Sequence, residues 1–191
     1  MSRDKNNQSF ASRMLLKAAD KCNLNDIQAA LDLGADPSAT DEHERTPLML
    51  MAAGAGSAIE LEMLIKVSNL DAQDSDGWTA ILWALNFNPV VFESLLSAGA
   101  NPRIADCDGE TPLMRAAFVN NMDAVKRLAP LSDLAAKDDE GHTAESRADS
   151  EGFCEIADYL RAAALAKKEA ELLELIASEK SPAGKAGAIR I

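Results

Sequence analysis

The chain has 191 residues, of which 47% are hydrophobic and 4% aromatic, and its formal net charge is −12. That charge argues against direct binding to nucleic acid and to anionic membranes, because both require a basic protein surface. It is compatible with a basic protein partner, although acidity by itself often serves only solubility. The low aromatic content and the many Ala and Leu residues favour close-packed helices over a β-sandwich.

The cysteines and the N-terminus indicate the cellular compartment in which the protein is expected. Cys22, Cys107 and Cys154 are odd in number and no pair has the spacing of a metal site, so we expect free thiols in a reducing environment. Residues 1–8 are polar and lack the apolar core of a signal peptide. No apolar run is long enough to span a membrane. We therefore expect a cytoplasmic protein, with export by a route that leaves no N-terminal signature as the alternative.

A short pattern recurs along the chain at an almost constant spacing. Its threonines are Thr46, Thr79, Thr111 and Thr143, which gives steps of 33, 32 and 32 residues. An Asp-containing turn precedes each threonine, and a short Ala/Leu-rich helix, a polar break and a second helix follow it. This period predicts a solenoid of stacked helical units. A solenoid works through an extended surface, which favours binding over catalysis.

The repeats divide the chain into a predicted series of segments. The last unit carries polar Glu145, Ser146 and Arg147 where an internal unit needs apolar residues, which is typical of a cap. In chain order the segments are a flexible N-terminus (1–8), an N-terminal cap (9–40, with helices near 9–20 and 25–33), three full units (41–73, 74–105 and 106–137), a C-terminal cap (138–165), a helical extension (166–180) and a disordered tail (181–191).

Two stretches make the pattern specific: residues 111–117 (TPLMRAA) and residues 95–102 (LLSAGANP). With the other copies in register, they resemble the ankyrin repeat over roughly residues 10–165. The threonine is expected to cap the first helix, and a proline such as Pro112 to occupy its first position. The resemblance implies an all-α solenoid of paired helices that binds partners through its turn tips and the concave face of its first helices.

The chain also departs from the family pattern. The family's helix-start histidine is replaced by Met49, Leu82 and Met114, and Glu44 stands where the other turns have glycine. Because that histidine usually bonds the backbone across the turn, we expect these turns to be held less firmly.

No group of residues predicts catalysis. His43 and His142 lie in turns three periods apart, too far to share a metal or a proton, and no histidine has sequence support as a partner of Cys107 or Cys154. The Asp-x-Asp turns at 74–76 and 106–108 lack the loop of a calcium site. There is no phosphate loop or zinc spacing. We therefore expect a non-enzyme without metal or cofactor.

The candidate site is a protein-binding surface. Trp78 is its clearest signal, because a tryptophan at a turn tip is expected to bury little and Trp is enriched among interface hot spots. The alternative is that these aromatics cover neighbouring repeats, and Trp83 is expected in the core or in the groove wall. The predicted partner-binding residues are Glu42, His43, Arg45, Asp76, Trp78, Phe87, Asp108, Glu110, Phe118, Asp139, Glu140 and His142.

The C-terminal region predicts one long helix from Phe153 to Lys180. Leu165, Leu172, Leu173 and Ile176 lie near one face of it. This stripe could fold back over the stack, pair with a second copy or receive the partner, and the sequence leaves all three open.

The function that we expect is that of an adaptor or a stoichiometric inhibitor, of immunity type, which grips a basic partner protein. The alternatives are a self-assembling structural protein that pairs through the C-terminal helix, and the regulatory subunit of an enzyme. We expect a monomer rather than a homodimer.

Overall fold

The computed structural model describes residues 9–54 and 58–180, and within this part of the chain all regular structure is helical. The predicted flexible N-terminus (1–8) and disordered tail (181–191) lie outside the described residues. The helices are α1 (Phe10–Asp20), α2 (Leu24–Asp32), α3 (Pro47–Ala53), α4 (Ala58–Ile65), α5 (Ala80–Phe87), α6 (Pro89–Ser97), α7 (Pro112–Phe118), α8 (Met122–Leu128), α9 (Ala144–Ser150) and α10 (Cys154–Lys180), with a 3₁₀ turn at Ala129–Leu131.

The helices form a stack of pairs. The first helices of successive units (α1, α3, α5, α7 and α9) pack on one another in chain order, and each of the first four also packs on the second helix of its own unit. Their buried side chains, such as Leu15, Leu48, Ile81 and Leu113, form one continuous apolar core. The predicted all-α solenoid is confirmed.

Threonine capping starts most of the first helices. The Oγ1 atoms of Thr46 and Thr111 accept bonds from the backbone N–H groups three residues later, at 3.4 Å and 3.3 Å, and Thr143 does the same at 3.2 Å. Thr79 makes no such bond, so the expectation of a cap is wrong there. Pro47 and Pro112 occupy the first helical position, where a missing N–H costs nothing.

Aspartate side chains stabilise the turns between units, and backbone hydrogen bonds join each turn to the next. The Oδ1 atom of Asp74 accepts the backbone N–H groups of Asp76 and Trp78 at 3.0 Å and 2.8 Å, and Asp41, Asp106 and Asp138 repeat this arrangement. A backbone bond of 3.0 Å then joins each turn to the next: Ser75 to His43, Cys107 to Asp76 and Asp139 to Asp108.

Two of the residues that replace the family's histidine also bond the turn backbone, whereas Leu82 in the third unit cannot. Besides the aspartates, the sulfur of Met49 accepts the backbone N–H of Thr46 at 3.4 Å, and Met114 does the same for Thr111. Methionine thus supplies part of the bonding that the family's histidine provides. Glu44 adopts the left-handed conformation of the glycine that it replaces, with φ +64°.

The last helix runs beyond the stack. The N-terminal part of α10 packs on α9 through buried Ile156, Ala157 and Leu160. From Leu165 to Ala177 every residue is exposed. Folding back over the stack, one of the three roles considered for this stripe, is therefore not what the structure shows.

Candidate interaction surface

An aromatic series follows the first helix of the third unit. Trp78 precedes α5, and Trp83 and Phe87 lie one turn apart on it. The rings of Trp78 and Trp83 meet edge to face with centroids 5.0 Å apart, and Trp83 stacks on Phe87 at 5.9 Å. Trp83 Nε1 donates to Asp74 Oδ2 at 2.8 Å. The same carboxylate that forms the turn therefore fixes the central ring.

Arginines from the neighbouring units extend this series. The guanidinium of Arg115, on α7, lies 4.7 Å from the Trp78 ring centroid and 5.7 Å from that of Phe118. On the other side, the guanidinium of Arg45 lies 5.8 Å from the Trp83 centroid. We call this surface the aromatic ridge; it consists of Arg45, Trp78, Trp83, Phe87, Arg115 and Phe118.

Carboxylates hold the arginines in place. Arg45 bonds Asp41 Oδ2 through Nε at 2.8 Å and Nη2 at 2.7 Å. Arg115 Nη2 lies 2.5 Å from Glu110 Oε2. These pairs neutralise the cations of the ridge, and the two bonds from Arg45 to Asp41 fix the plane of its guanidinium group.

Two residues of the ridge, Trp83 and Arg115, occupy the same position in successive units. Trp83, Arg115 and Arg147 each lie nine residues after the aspartate of their turn, so the stack brings them into adjacent places. Trp83 and Arg147 both donate to the second oxygen of that aspartate, Arg147 to Asp138 at 2.7 Å and 3.0 Å. Arg115 instead pairs with Glu110 and thereby lies over Trp78.

Burial and bonding shift the titration of three carboxyl groups. Burial raises the pKa of Glu110, and the nearby Arg115 only partly offsets this. Burial also acts to raise the pKa of Asp138, but the N–H of His142 and the guanidinium of Arg147 outweigh it and the pKa is lowered. The pKa of Asp41 is lowered in the same way, where the bonds from Arg45 and His43 outweigh desolvation.

The predicted site residues differ in their exposure. Trp78 is half-buried between Trp83 and Arg115, so the expectation that it buries little is wrong. Glu110 is 7% exposed, so it does not lie at an open tip. Phe87 is 58% and Phe118 37% exposed. Arg45 and His142 are half-buried, and the exposed members are Glu42, His43, Asp76, Asp108, Asp139 and Glu140.

Sequence analysis missed two of the six ridge residues, Trp83 and Arg115, and the position that they share with Arg147. Arg115 and Arg147 are not among the predicted site residues, and Trp83 is expected only in the core or in the groove wall. The signal was present, because aligning the units on their turn aspartates puts all three in one column. What the alignment did not contain was the direction of each side chain.

Neither a metal site nor a membrane span was found. Among the residues that the structure describes, no three His, Cys, Asp or Glu side chains are placed to hold a metal ion. Over the same residues, no helix has the length and apolar character needed to cross a bilayer.

Comparison with known proteins agrees with the repeat architecture. A family model described as "Ankyrin repeats (3 copies)" matches residues 15–102 and 84–172. The chain is 36% identical over 97 residues to neurogenic locus notch homolog protein 2 of Homo sapiens, and 33% identical over 96 residues to notch homolog protein 1 of Danio rerio. It is 38% identical over 97 residues to the SH3 and multiple ankyrin repeat domains protein 2 of Homo sapiens.

Each match to these relatives covers 49% of the chain but only 4% or 5% of the relative. The likeness is therefore to their repeats and not to the whole proteins. The family match, in contrast, extends over most of the described stack. Ankyrin repeats are generally non-enzymatic modules that mediate protein–protein interaction. The chain belongs to the ankyrin-repeat family.

Proposed function

We propose that this protein binds a basic partner protein through the aromatic ridge and the exposed carboxylates of the neighbouring turn tips. The observation that carries the proposal is that Phe87 is exposed and yet held in place. Its ring is 58% exposed and yet stacked on Trp83, which is itself bonded to Asp74. An exposed aromatic side chain held in place in this way loses little conformational freedom on binding.

The composition of the surface suits a protein interface. Tryptophan and arginine are enriched among the residues that dominate binding energy, and they work best where a polar rim excludes water. Phe87 and Phe118 supply exposed apolar area, while Asp76 and Asp108 lie at the adjoining turn tips. The half-buried Trp78 contacts Trp83, on which the exposed Phe87 stacks.

The charge of the surface favours a basic partner. Within the described part of the chain, Asp76, Asp108 and Asp139 are exposed and form no ion pair, whereas Arg45 and Arg115 are each paired with a carboxylate. The unbalanced charge at the tips is therefore negative. It steers a cationic partner during the encounter and disfavours an acidic one.

Binding itself is the proposed activity, as an adaptor or a stoichiometric inhibitor of immunity type. The cytoplasm is the compartment that suits Cys107 and Cys154, which are exposed free thiols. If the captured partner is an enzyme, the protein acts as its regulatory subunit, and titrating the partner's activity with this chain separates inhibition from simple tethering.

A comparative capture experiment tests the proposal. Wild type, Phe87→Ser/Phe118→Ser and the control Val67→Ser/Leu131→Ser are immobilised, and the bound proteins are quantified by mass spectrometry. The control removes comparably exposed apolar side chains outside the ridge. We expect a basic protein that wild type and control both retain and that the ridge variant loses by about tenfold or more. Equal capture by all three would refute the role of the ridge.

A further inference from the structure

The first helix carries a cationic face that the aromatic ridge does not explain. Arg13 and Lys17 lie at successive turns of α1, and Lys21 follows as its C-cap residue. None of them forms an ion pair within the described residues, although the chain as a whole carries a net charge of −12. In so acidic a protein, a row of unneutralised cations points to an anionic occupant.

These cations line an open groove with an apolar floor. The groove has a volume of about 580 Å³, and its apolar lining is Phe10, Met14 and Ala18. Phe10 is 72% exposed. Asp26 also lines the groove, but its carboxylate accepts a bond from Asn23 at 2.8 Å. The site therefore suits a segment that combines apolar side chains with carboxylates.

The opposite end of the chain presents such a segment. Leu165, Glu169, Leu172 and Ile176 share one face of α10, and the leucines and the isoleucine are 60%, 57% and 38% exposed. Covering this stripe would also cover Glu169, and a carboxylate buried against apolar groups is costly. Whatever covers the stripe must therefore supply a cation.

We propose that the C-terminal helix of one copy docks in the α1 groove of a second copy. Its apolar side chains would cover Phe10 and Met14, and Glu169 would meet the cations of α1. Lys168 borders the opposite edge of this face from Glu169, so docking must turn the Glu169 edge toward the cations of α1. The contact is independent of the aromatic ridge.

The helix that docks in the α1 groove must come from a second copy, because the groove and the helix lie at opposite ends of the stack. Among the helices, α1 packs on α2 and α3, whereas α10 packs on α9 at the other end of the stack and continues away from it. Pairing of two identical C-terminal helices is the alternative, and it would leave the cations beside the α1 groove uncovered. A groove and a helix on opposite ends make a heterologous contact, which joins copies head to tail.

A mixing experiment tests this arrangement. Lys17→Glu/Lys21→Glu disables the groove, and Leu172→Gln/Ile176→Gln disables the helix; all four side chains are exposed or nearly so, and Gln and Glu are good helix formers. Circular dichroism and thermal melting check that both variants fold. Sedimentation velocity over a range of concentrations measures association.

Head-to-tail docking predicts a distinctive pattern. Wild type associates further as its concentration rises, and each variant alone associates at least tenfold more weakly. An equal mixture of the two variants forms a heterodimer, because one supplies an intact helix and the other an intact groove. Combining Glu169→Lys with Lys17→Glu/Lys21→Glu in one chain should restore self-association, because a helix of reversed charge then meets a groove of reversed charge.

Three results would overturn the proposal. Wild type could remain monomeric throughout, the groove variant could associate as well as wild type, or the mixture could stay monomeric. The second result would indicate helix–helix pairing. Flotation with anionic phosphatidylserine vesicles gives a further test: groove-dependent binding to vesicles without self-association would assign the cations to lipid and overturn docking between copies.

Discussion

The guanidinium of Arg115 lies 4.7 Å from the ring centroid of Trp78 although the two residues belong to different units of the stack. The same guanidinium pairs with Glu110, which directly follows the turn of its own unit. Arg115 therefore ties the geometry of the ridge to the packing between units. Changes in Trp78 should affect the stability of the stack as well as its surface.

We expect Trp78→Ala to lower the free energy of unfolding by about 1–2 kcal/mol, because the ring is half-buried against Trp83 and Arg115. Combining it with Arg115→Ala in a double-mutant cycle should give a coupling of about 0.5–1 kcal/mol. Chemical denaturation measures both. The control is Phe87→Ala, which removes a more exposed ring and should cost little stability. An unchanged stability for Trp78→Ala would show that the ring contributes little packing, as expected of a residue at an exposed turn tip.

Alanine substitutions at two turn glycines distinguish the stability cost of backbone strain from that of a steric clash. Gly77 and Gly141 have φ values of +82° and +86°, so alanine at either position is strained by about 1–2 kcal/mol. A Cβ at Gly77 would also lie 2.6 Å from the backbone nitrogen of Cys107, whereas one at Gly141 would meet open space. We expect Gly77→Ala to be clearly the more destabilising in thermal melts. Equal losses would mean that the turns do not pack closely on one another.

Asp138 and Glu110 should give opposite pH dependence. Because the folded-state pKa of Asp138 is lowered, its contribution to stability is present above the unfolded value and is lost as the pH falls through the folded value. We expect Asp138→Asn to cost about 2 kcal/mol at neutral pH, with the difference from wild type shrinking below about pH 4.

For Glu110 the sign reverses. Its pKa is raised by burial, so the folded state holds the proton more tightly and wild-type stability falls, relative to Glu110→Gln, as the pH rises from the unfolded to the folded value. Denaturation series across acidic pH measure both differences. The same sign of slope for the two residues would contradict the assigned environments.

Removing residues 167–191 should leave the melting temperature nearly unchanged. The described residues from 167 to 177 are all exposed and cover none of the stack, so their loss uncovers no core. Differential scanning calorimetry at low concentration, where copies do not associate, measures this. A substantial loss of stability would show that the C-terminal helix does pack on its own stack.

Salt should slow association with the partner, because charge at the turn tips steers the encounter. We expect Asp76→Asn/Asp108→Asn/Asp139→Asn to lower the association rate more than it raises the dissociation rate, as measured by surface plasmon resonance. A matched control removes the same charge from exposed positions elsewhere: Asp20→Asn/Glu151→Gln/Glu155→Gln. If both triple variants respond alike, the effect reflects net charge and not the ridge.

Much of the fold could be predicted because the repeat pattern is set by interactions between residues close together in the sequence. Thr46, Thr111 and Thr143 cap helices through bonds that span three residues, and such short-range geometry is fixed by residue type and spacing. The helix predicted from Phe153 to Lys180 is found at Cys154–Lys180. Thr79 is the exception, since the same residue in the same register forms no cap there.

By itself, the sequence determined the stacked units, their first helices and the acidic turn tips, because each follows from neighbours along the chain. Only the tertiary structure decided that Trp78 is half-buried, that Glu110 is paired beneath the surface and that Trp83 and Arg115 join one ridge. The contact of Arg115 with Trp78 joins neighbouring units, whereas those of Trp78 with Trp83 and of Arg115 with Glu110 depend on the direction of each side chain and on which nearby carboxylate the arginine meets. Helix periodicity gives the face that a side chain occupies, whereas its partner across units depends on how closely the units pack.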